Sequence, residues 1–251
     1  WISLLGITLA VFALIATLAV RSGFRAEFVD TILGANAHVT VYRSVAMGED
    51  GRPDRAIDDY AAMAERIRAV DGVTRVAPLV RGQVMAAAGG RNAGVEVYGI
   101  APGDLAGVPR VARPERARGE LARFPEGVAL GWEVARELQV GPGDTVRLIS
   151  PEGARTPFGT SPRVNAYEVT YVFQAGRYDI DRTRLYMPFA EAQRFFNREG
   201  RADELEVMVE EPDRVQAYST DLLRAGGERT LLWTWRDASG AFLRALEVED
   251  N

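Results

Sequence analysis

The sequence predicts an α+β chain in which an apolar N-terminal helix precedes a split β-α-β subdomain, itself interrupted by an inserted β-rich one. Three observations carry that expectation. The first twenty residues hold no charge. A strand-helix-strand order occurs twice, once near each end of the remaining chain. Between the two copies the periodicity is mostly that of strands.

The helix comes first. WISLLGITLAVFALIATLAV, residues 1–20, has about the length of one bilayer crossing. It has no basic leader and no small-residue cleavage pattern, so it reads as a membrane helix rather than a signal peptide. RSGFRAEFVDTILG continues at helical spacing, with Phe24, Phe28 and Ile32 on one apolar face and Gly34 as a stop. That face either packs on the rest of the chain or meets lipid or a partner helix. Residues 1–36 thus form the membrane helix and its extension.

AHVTVYR (37–43) alternates like a strand, and GEDGRPD is a loop. Asp58 is the expected cap of a helix over DYAAMAERIRAV, whose stripe is Tyr60, Met63, Ile67 and Val70. VTRVAPLVRGQVMAA and AGVEVYGIAP are strands joined by Gly89 and Gly90. Near the C-terminus ELEVMVE is a strand, Pro212 opens a helix through DRVQAYSTDLLRAG, and RTLLWTW is a strand again. The split subdomain is therefore 37–104 with 203–236, and the insert is 105–202. Residues 237–251 regain helical spacing through Phe242 and Leu246.

Composition removes several function classes. All 30 basic residues are Arg, so the chain has no Lys for a nucleotide phosphate loop. It has no Cys, hence no thiolate and no disulfide. A net charge of −5 gives no support for nucleic-acid binding. His38 is the sole histidine, and no G-x-S-x-G nucleophile motif accompanies it. Asp179 and Asp181 lack the further spaced oxygens of a calcium loop and read as a solvated loop. The arginines between 110 and 123 alternate with Glu and Pro and read the same way. No enzyme, no metal and no cofactor is expected.

One stretch resists a bland reading. SPEGARTPFGTSP (150–162) separates two clear strands, although hairpins usually turn in two to five residues. Pro157 fixes φ and Gly159 tolerates positive φ, so Thr156, Pro157, Phe158 and Gly159 suit a defined tip. An aromatic on a rigid projection is what a partner-binding anchor needs. The arm 150–165 either projects in this way or folds down and buries Phe158.

WISLLGITLAVFALIATLAVRSGFRAEFVDTILGANAHVTVY, LGWEVARELQVGPGDTVRLISP and the closing TWRDASGAFLRALEVEDN together resemble the LolC/LolE family of lipoprotein-releasing ABC transporter permeases. The resemblance covers essentially the whole chain. It implies a MacB-like periplasmic domain between the first two membrane helices, with 237–251 leading to the second. It implies an inner-membrane subunit that is not itself catalytic, with the ATPase on a separate cytoplasmic subunit and a second permease subunit beside it. The hook-bearing C-type subunit carries a hairpin with a TPMG tip that captures a periplasmic carrier; here TPFG stands in its place. The resemblance therefore assigns carrier capture to Thr156, Pro157, Phe158 and Gly159, and the carrier to a LolA-like protein receiving lipoprotein substrate. The polar residues that follow the family's hook are replaced by RVNAYE, which leaves Arg155, Arg163 and Asn165 as the second carrier contact. Phe24, Phe28 and Ile32 would line a lipid route. Two other readings stand beside this one: a MacB-type exporter or mechanotransmitter, and an extracytoplasmic sensor of a small ligand.

Overall fold

The computed structural model describes all residues except 34, 35, 48–50, 52, 152, 154, 157, 158, 239 and 241–251. Helix α1 (Ile2–Leu33) has 32 residues and is roughly 48 Å long at the α-helical rise. Its apolar side chains are exposed on every face, Leu5, Ile7, Leu9, Phe12 and Ile15 among them. Among the described residues no helix is long and apolar enough to cross a membrane, so the span over 1–20 remains a sequence-based expectation. Phe24, Phe28 and Ile32 lie on this helix, and their side chains fall outside the description, as does the expected stop at Gly34.

The chain continues as β1 (Val39–Arg43), a small pair β2 (Ala46–Met47) and β3 (Pro53–Asp54), helix α2 (Tyr60–Arg68) and the long strand β4 (Val73–Ala88). Gly89 and Gly90, at φ 54° and 82°, turn it into β5 (Arg91–Ile100) as a two-residue turn with two positive φ angles requires. Then come α3 (Pro102–Leu105), α4 (Pro109–Ala112), β6 (Arg116–Gly119), a 3₁₀ stretch (Leu121–Glu126), β7 (Val128–Gly131), α5 (Trp132–Leu138) and β8 (Thr145–Ser150). The insert ends through β9 (Arg155–Thr156), β10 (Gly159–Thr160), β11 (Arg163–Gln174), α6 (Tyr178–Thr183), β12 (Arg184–Pro188) and α7 (Phe189–Phe195). The chain returns as β13 (Glu204–Val209), a 3₁₀ stretch (Pro212–Tyr218), α8 (Ser219–Gly226), β14 (Thr230–Thr234) and α9 (Trp235–Ala238).

The two β-α-β units interleave. The sheet order β14-β1-β13-β4 has antiparallel neighbours throughout, so β1 and β4 run parallel with β13 between them. Helices α2 and α8 cover one face and close a core of Val39, Val41, Ile57, Met63, Ile67, Leu205, Val207 and Leu222. The alternation in 37–43 supplies that inward face, and the i, i+4 pair Met63 and Ile67 supplies the helix side. The same sheet runs on through β5-β12-β7-β11-β6. There Val80, Val84, Val97, Leu130, Leu148, Val169 and Phe195 form a second core with α5 and α7. A third core, around Ile100, Leu105, Phe124 and Phe173, lies beneath α3 and α4.

Core membership divides the chain within β4, where Val76 serves the first core and Val80 the second. Turn residues mark where a strand ends, not which core it feeds, and β4 feeds all three, with Ala77 and Leu79 in the third. Four local expectations change. The N-cap of α2 is Asp59 rather than Asp58, and its carboxylate is engaged by Arg43 (2.8 Å) and Arg66 (3.2 Å) instead of capping. The helix expected over 213–226 is α-helical only from Ser219; Arg214 leaves helical φ/ψ, while Val215 is buried and the Trp235 indole donates to the Pro212 carbonyl (2.8 Å). Asp179 and Asp181 sit on helix α6 rather than a solvated loop, because the Asp181 carboxylate is buried and accepts the Ala175 amide (2.7 Å). Residues 116–119 form an exposed edge strand on β11 rather than a loop.

Charged groups tie the two halves of the sheet together. The guanidinium groups of Arg184 and Arg81 both stack on the Tyr98 ring, 4.2 and 4.5 Å from its centre. Buried Arg184 also donates to the Tyr98 hydroxyl (3.1 Å) and to Asn36 Oδ1 (3.4 Å), which joins β12 to the segment entering β1. Arg81 pairs with Glu204 (3.2 Å), and Arg75 with Glu206 (3.4 Å). Burial pushes the Glu204 carboxyl up to about 7, against the pull of Arg81 and with the help of Glu206 and Asp203. A raised folded-state value means that the proton favours the fold. Its contribution is complete below the ordinary value of 4.5 and is lost as pH rises through about 7. Glu204→Gln removes this dependence. The stability difference between variant and parent should move in the variant's favour by about 2 kcal/mol from pH 5 to pH 8. Denaturant titrations of both proteins at the two pH values check this, and a pH-independent difference contradicts it.

Candidate partner-binding arm

Strands β8 and β11 form an antiparallel ladder from Thr145↔Glu168 to Ser150↔Arg163. Beyond it β9 and β10 pair separately, Arg155 with Thr160 and Thr156 with Gly159. A continuous ladder would have set Arg155 opposite residue 158. The register shift shows that 151–154 holds two more residues than 161–162, so the arm is a second ribbon beyond a break in the first. Only residues 157 and 158 separate the last pair, the spacing of a tight hairpin connection. Both lie outside the described residues. Thr156 and Gly159 are placed on facing strands; Arg155 is one residue below the tip, and its side chain falls outside the description.

The foot of the arm is closely built. Gly153 is buried, and a Cβ there would lie 1.9 Å from the Ser161 carbonyl oxygen and 2.6 Å from the Arg163 nitrogen. Arg163 turns inward. Its guanidinium donates to the Arg194 and Phe195 (2.9 Å) carbonyls at the end of α7 and to Asn197 Oδ1 (2.8 Å). Asn165 donates to the Tyr167 hydroxyl (3.1 Å), which donates to Glu191 on α7 (2.8 Å). Burial raises the Tyr167 phenol and keeps it a donor. The sequence held one signal for this foot, a glycine among prolines, but nothing in it pointed Arg163 at a helix.

His38 Nδ1 accepts the Val209 amide (3.0 Å), and burial lowers its basicity. Asp179 is engaged by Arg177 (2.6 Å). Among the described residues no three His, Asp or Glu side chains could hold a metal ion. The arrangement offers a separate two-stranded ribbon beyond the β8–β11 ladder.

Residues 1–225 match the family described as MacB-like periplasmic core domain. The chain is similar to two lipoprotein-releasing system transmembrane proteins LolC. The relative from Neisseria meningitidis serogroup B is 25% identical over 252 residues, and the one from Xylella fastidiosa strain Temecula1 is 28% identical over 250 residues. These alignments take in 99% and 98% of this chain but 58% of each relative, so the chain spans little more than half their length. The periplasmic region of MacB from Actinobacillus actinomycetemcomitans shares the fold, with a TM-score of 0.52 at 13% identity over 84% of this chain and 97% of that one.

Proposed function

The chain belongs to the MacB-like periplasmic core domain family, and we propose that it is the carrier-capturing, C-type permease portion of a lipoprotein-releasing ABC transporter. Its LolC relatives and its fold support the permease assignment. The single observation that carries the finer reading is the separate ribbon β9–β10, set beyond a ladder break and ending in Thr156 and Gly159. A hairpin that only joined β8 to β11 would need no such ribbon. In this reading residues 1–20 span the inner membrane, the domain stands in the periplasm, and a second permease subunit and a cytoplasmic ATPase complete the transporter. The arm takes a LolA-like carrier, to which lipoprotein passes. Arg155 and Asn165 are the remaining candidates for a second carrier contact.

The test uses the intact chain in detergent and a LolA-like carrier from the same organism. Replacing 151–162 with Asn-Gly, a turn that joins β8 directly to β11, should abolish carrier binding in calorimetry and leave the fold intact. Undiminished binding by that variant contradicts the capture role. The same reading makes Phe24, Phe28 and Ile32 a lipid route. Photo-crosslinking side chains at these positions should capture lipoprotein in the assembled transporter; crosslinks confined to the chain itself would mark the face as internal packing.

A further inference from the structure

The break between the two ribbons raises a physical question. Ladder hydrogen bonds end at Ser150↔Arg163 and resume at Arg155↔Thr160 with two residues of offset. The ladder of the main sheet therefore does not dictate where the arm points. Something else must, or the arm swings and its tip meets a partner only part of the time.

The group placed to do this is on the last rung of the main ladder, at the foot of the arm's returning strand. Helix α7 ends in Asn197, which takes the left-handed conformation at φ 55°. The Arg198 amide closes back on the Gln193 carbonyl at 2.7 Å, and the Phe196 amide on the Ala192 carbonyl at 2.9 Å. The Arg194 carbonyl receives a long 3.5 Å bond from the Asn197 amide. Arg163 donates to both this carbonyl and that of Phe195, and a second guanidinium nitrogen reaches Asn197 Oδ1. A planar guanidinium suits this, with several donors in fixed directions and a positive charge at the negative end of the helix dipole. Helix α7 is itself held at both ends. Phe189 packs edge-on against Tyr60 of α2, with ring centres 5.4 Å apart, and Gln193 donates to the Arg201 carbonyl (2.8 Å). On the opposite strand of the foot, the Gly153 backbone lies close against Ser161 to Arg163.

We infer that Arg163 is the positioning residue of the arm, capping α7 from the foot so that helix and arm move as one body. The inference rests on the reading of the arm as the carrier-binding element. Arg163 itself touches no carrier; it acts by keeping the arm in its competent direction. The apparent affinity of a binding element falls in proportion to the fraction of time it is competent. An arm competent about a tenth of the time binds about ten-fold more weakly.

The chain has no native cysteine, so spin labels at Thr160→Cys on the arm and Glu137→Cys on α5 report the arm's direction as an electron–electron distance distribution. In the intact chain in detergent, Arg163→Met should broaden that distribution and weaken binding of the LolA-like carrier about ten-fold. Arg163→Lys, which keeps the charge and some of the donors, should restore part of both. Asn197→Gly, which keeps the left-handed turn and removes the Oδ1 acceptor, should broaden it less and serves if Arg163→Met fails to fold. An unchanged distribution in the Met variant overturns the positioning role. A broadened distribution with unchanged affinity also overturns it, provided Phe158→Ala still weakens binding. If Phe158→Ala leaves the affinity unchanged as well, the failure lies with the capture reading.

Discussion

Phe158→Asp should abolish binding of the proposed carrier and Phe158→Ala should weaken it ten-fold or more, while either variant should melt within about 2 °C of the parent. Phe158 is one of only two residues between the paired Thr156 and Gly159. A carrier of the LolA type is expected to offer an apolar cavity, and burying a Phe side chain there is worth roughly 1.5–3 kcal/mol. About 1.4 kcal/mol is a factor of ten in affinity, so loss of the ring alone gives the ten-fold effect. An Asp goes further because an ionised carboxylate would enter an apolar site without a partner. Stability should barely respond, since substitutions away from a core usually change it by no more than about 0.5 kcal/mol. Calorimetric binding and thermal melts on the same preparations separate the outcomes. Unchanged affinity sinks the assignment. A large loss of melting temperature would mean that the ring is buried in the domain and that the arm folds down.

The layout was legible because it is written in short-range patterns. The alternation of Val39 and Val41, the stripe of Met63 and Ile67, and the Gly89-Gly90 turn each announce their element locally, and all three appear where expected. What the sequence concealed is mostly long-range. Strand β4 reads as one strand but feeds three cores, and no residue along it marks the passage. Asp181 looks like a solvated acid because a contact only six residues away, the Ala175 amide that donates to it, is not written in the helical or strand periodicity. Arg163 looks like a free cation beside the hook until the end of α7, 31 residues later, arrives beneath it. The foot was not legible, because its geometry depends on a helix from another part of the chain.

That helix is also where the largest stability effect is expected. Gly99 on β5 pairs with Val80 and Met187, and a Cβ at that position would lie 2.1 Å from the Ala192 Cβ on α7. Gly82 on β4 is as tight, with a Cβ position 2.2 Å from the Phe196 ring. Carbon atoms in contact need about 3.5–4.0 Å, so α7 and the Phe196 that caps it rest on bare strand backbone at both points. Gly99→Val sets a branched side chain under the helix. The strand cannot retreat, because it is bonded on both sides, so α7 must lift and open the contacts of Phe195 in the second core. Overpacking of this kind costs about 3 kcal/mol, which for a chain of this size lowers the melting temperature by roughly 6–12 °C. Adding Ala192→Gly to that variant removes the methyl that the introduced side chain meets and should recover part of the loss, a non-additive response expected only of residues in contact. Because the lifted helix also carries the Arg194 and Phe195 carbonyls bound by Arg163, the single variant should bind carrier more weakly even below its melting temperature. A melting temperature within about 2 °C of the parent would show that α7 does not sit on Gly99. Full carrier affinity in a destabilised variant would show that the arm takes its direction from somewhere other than this helix.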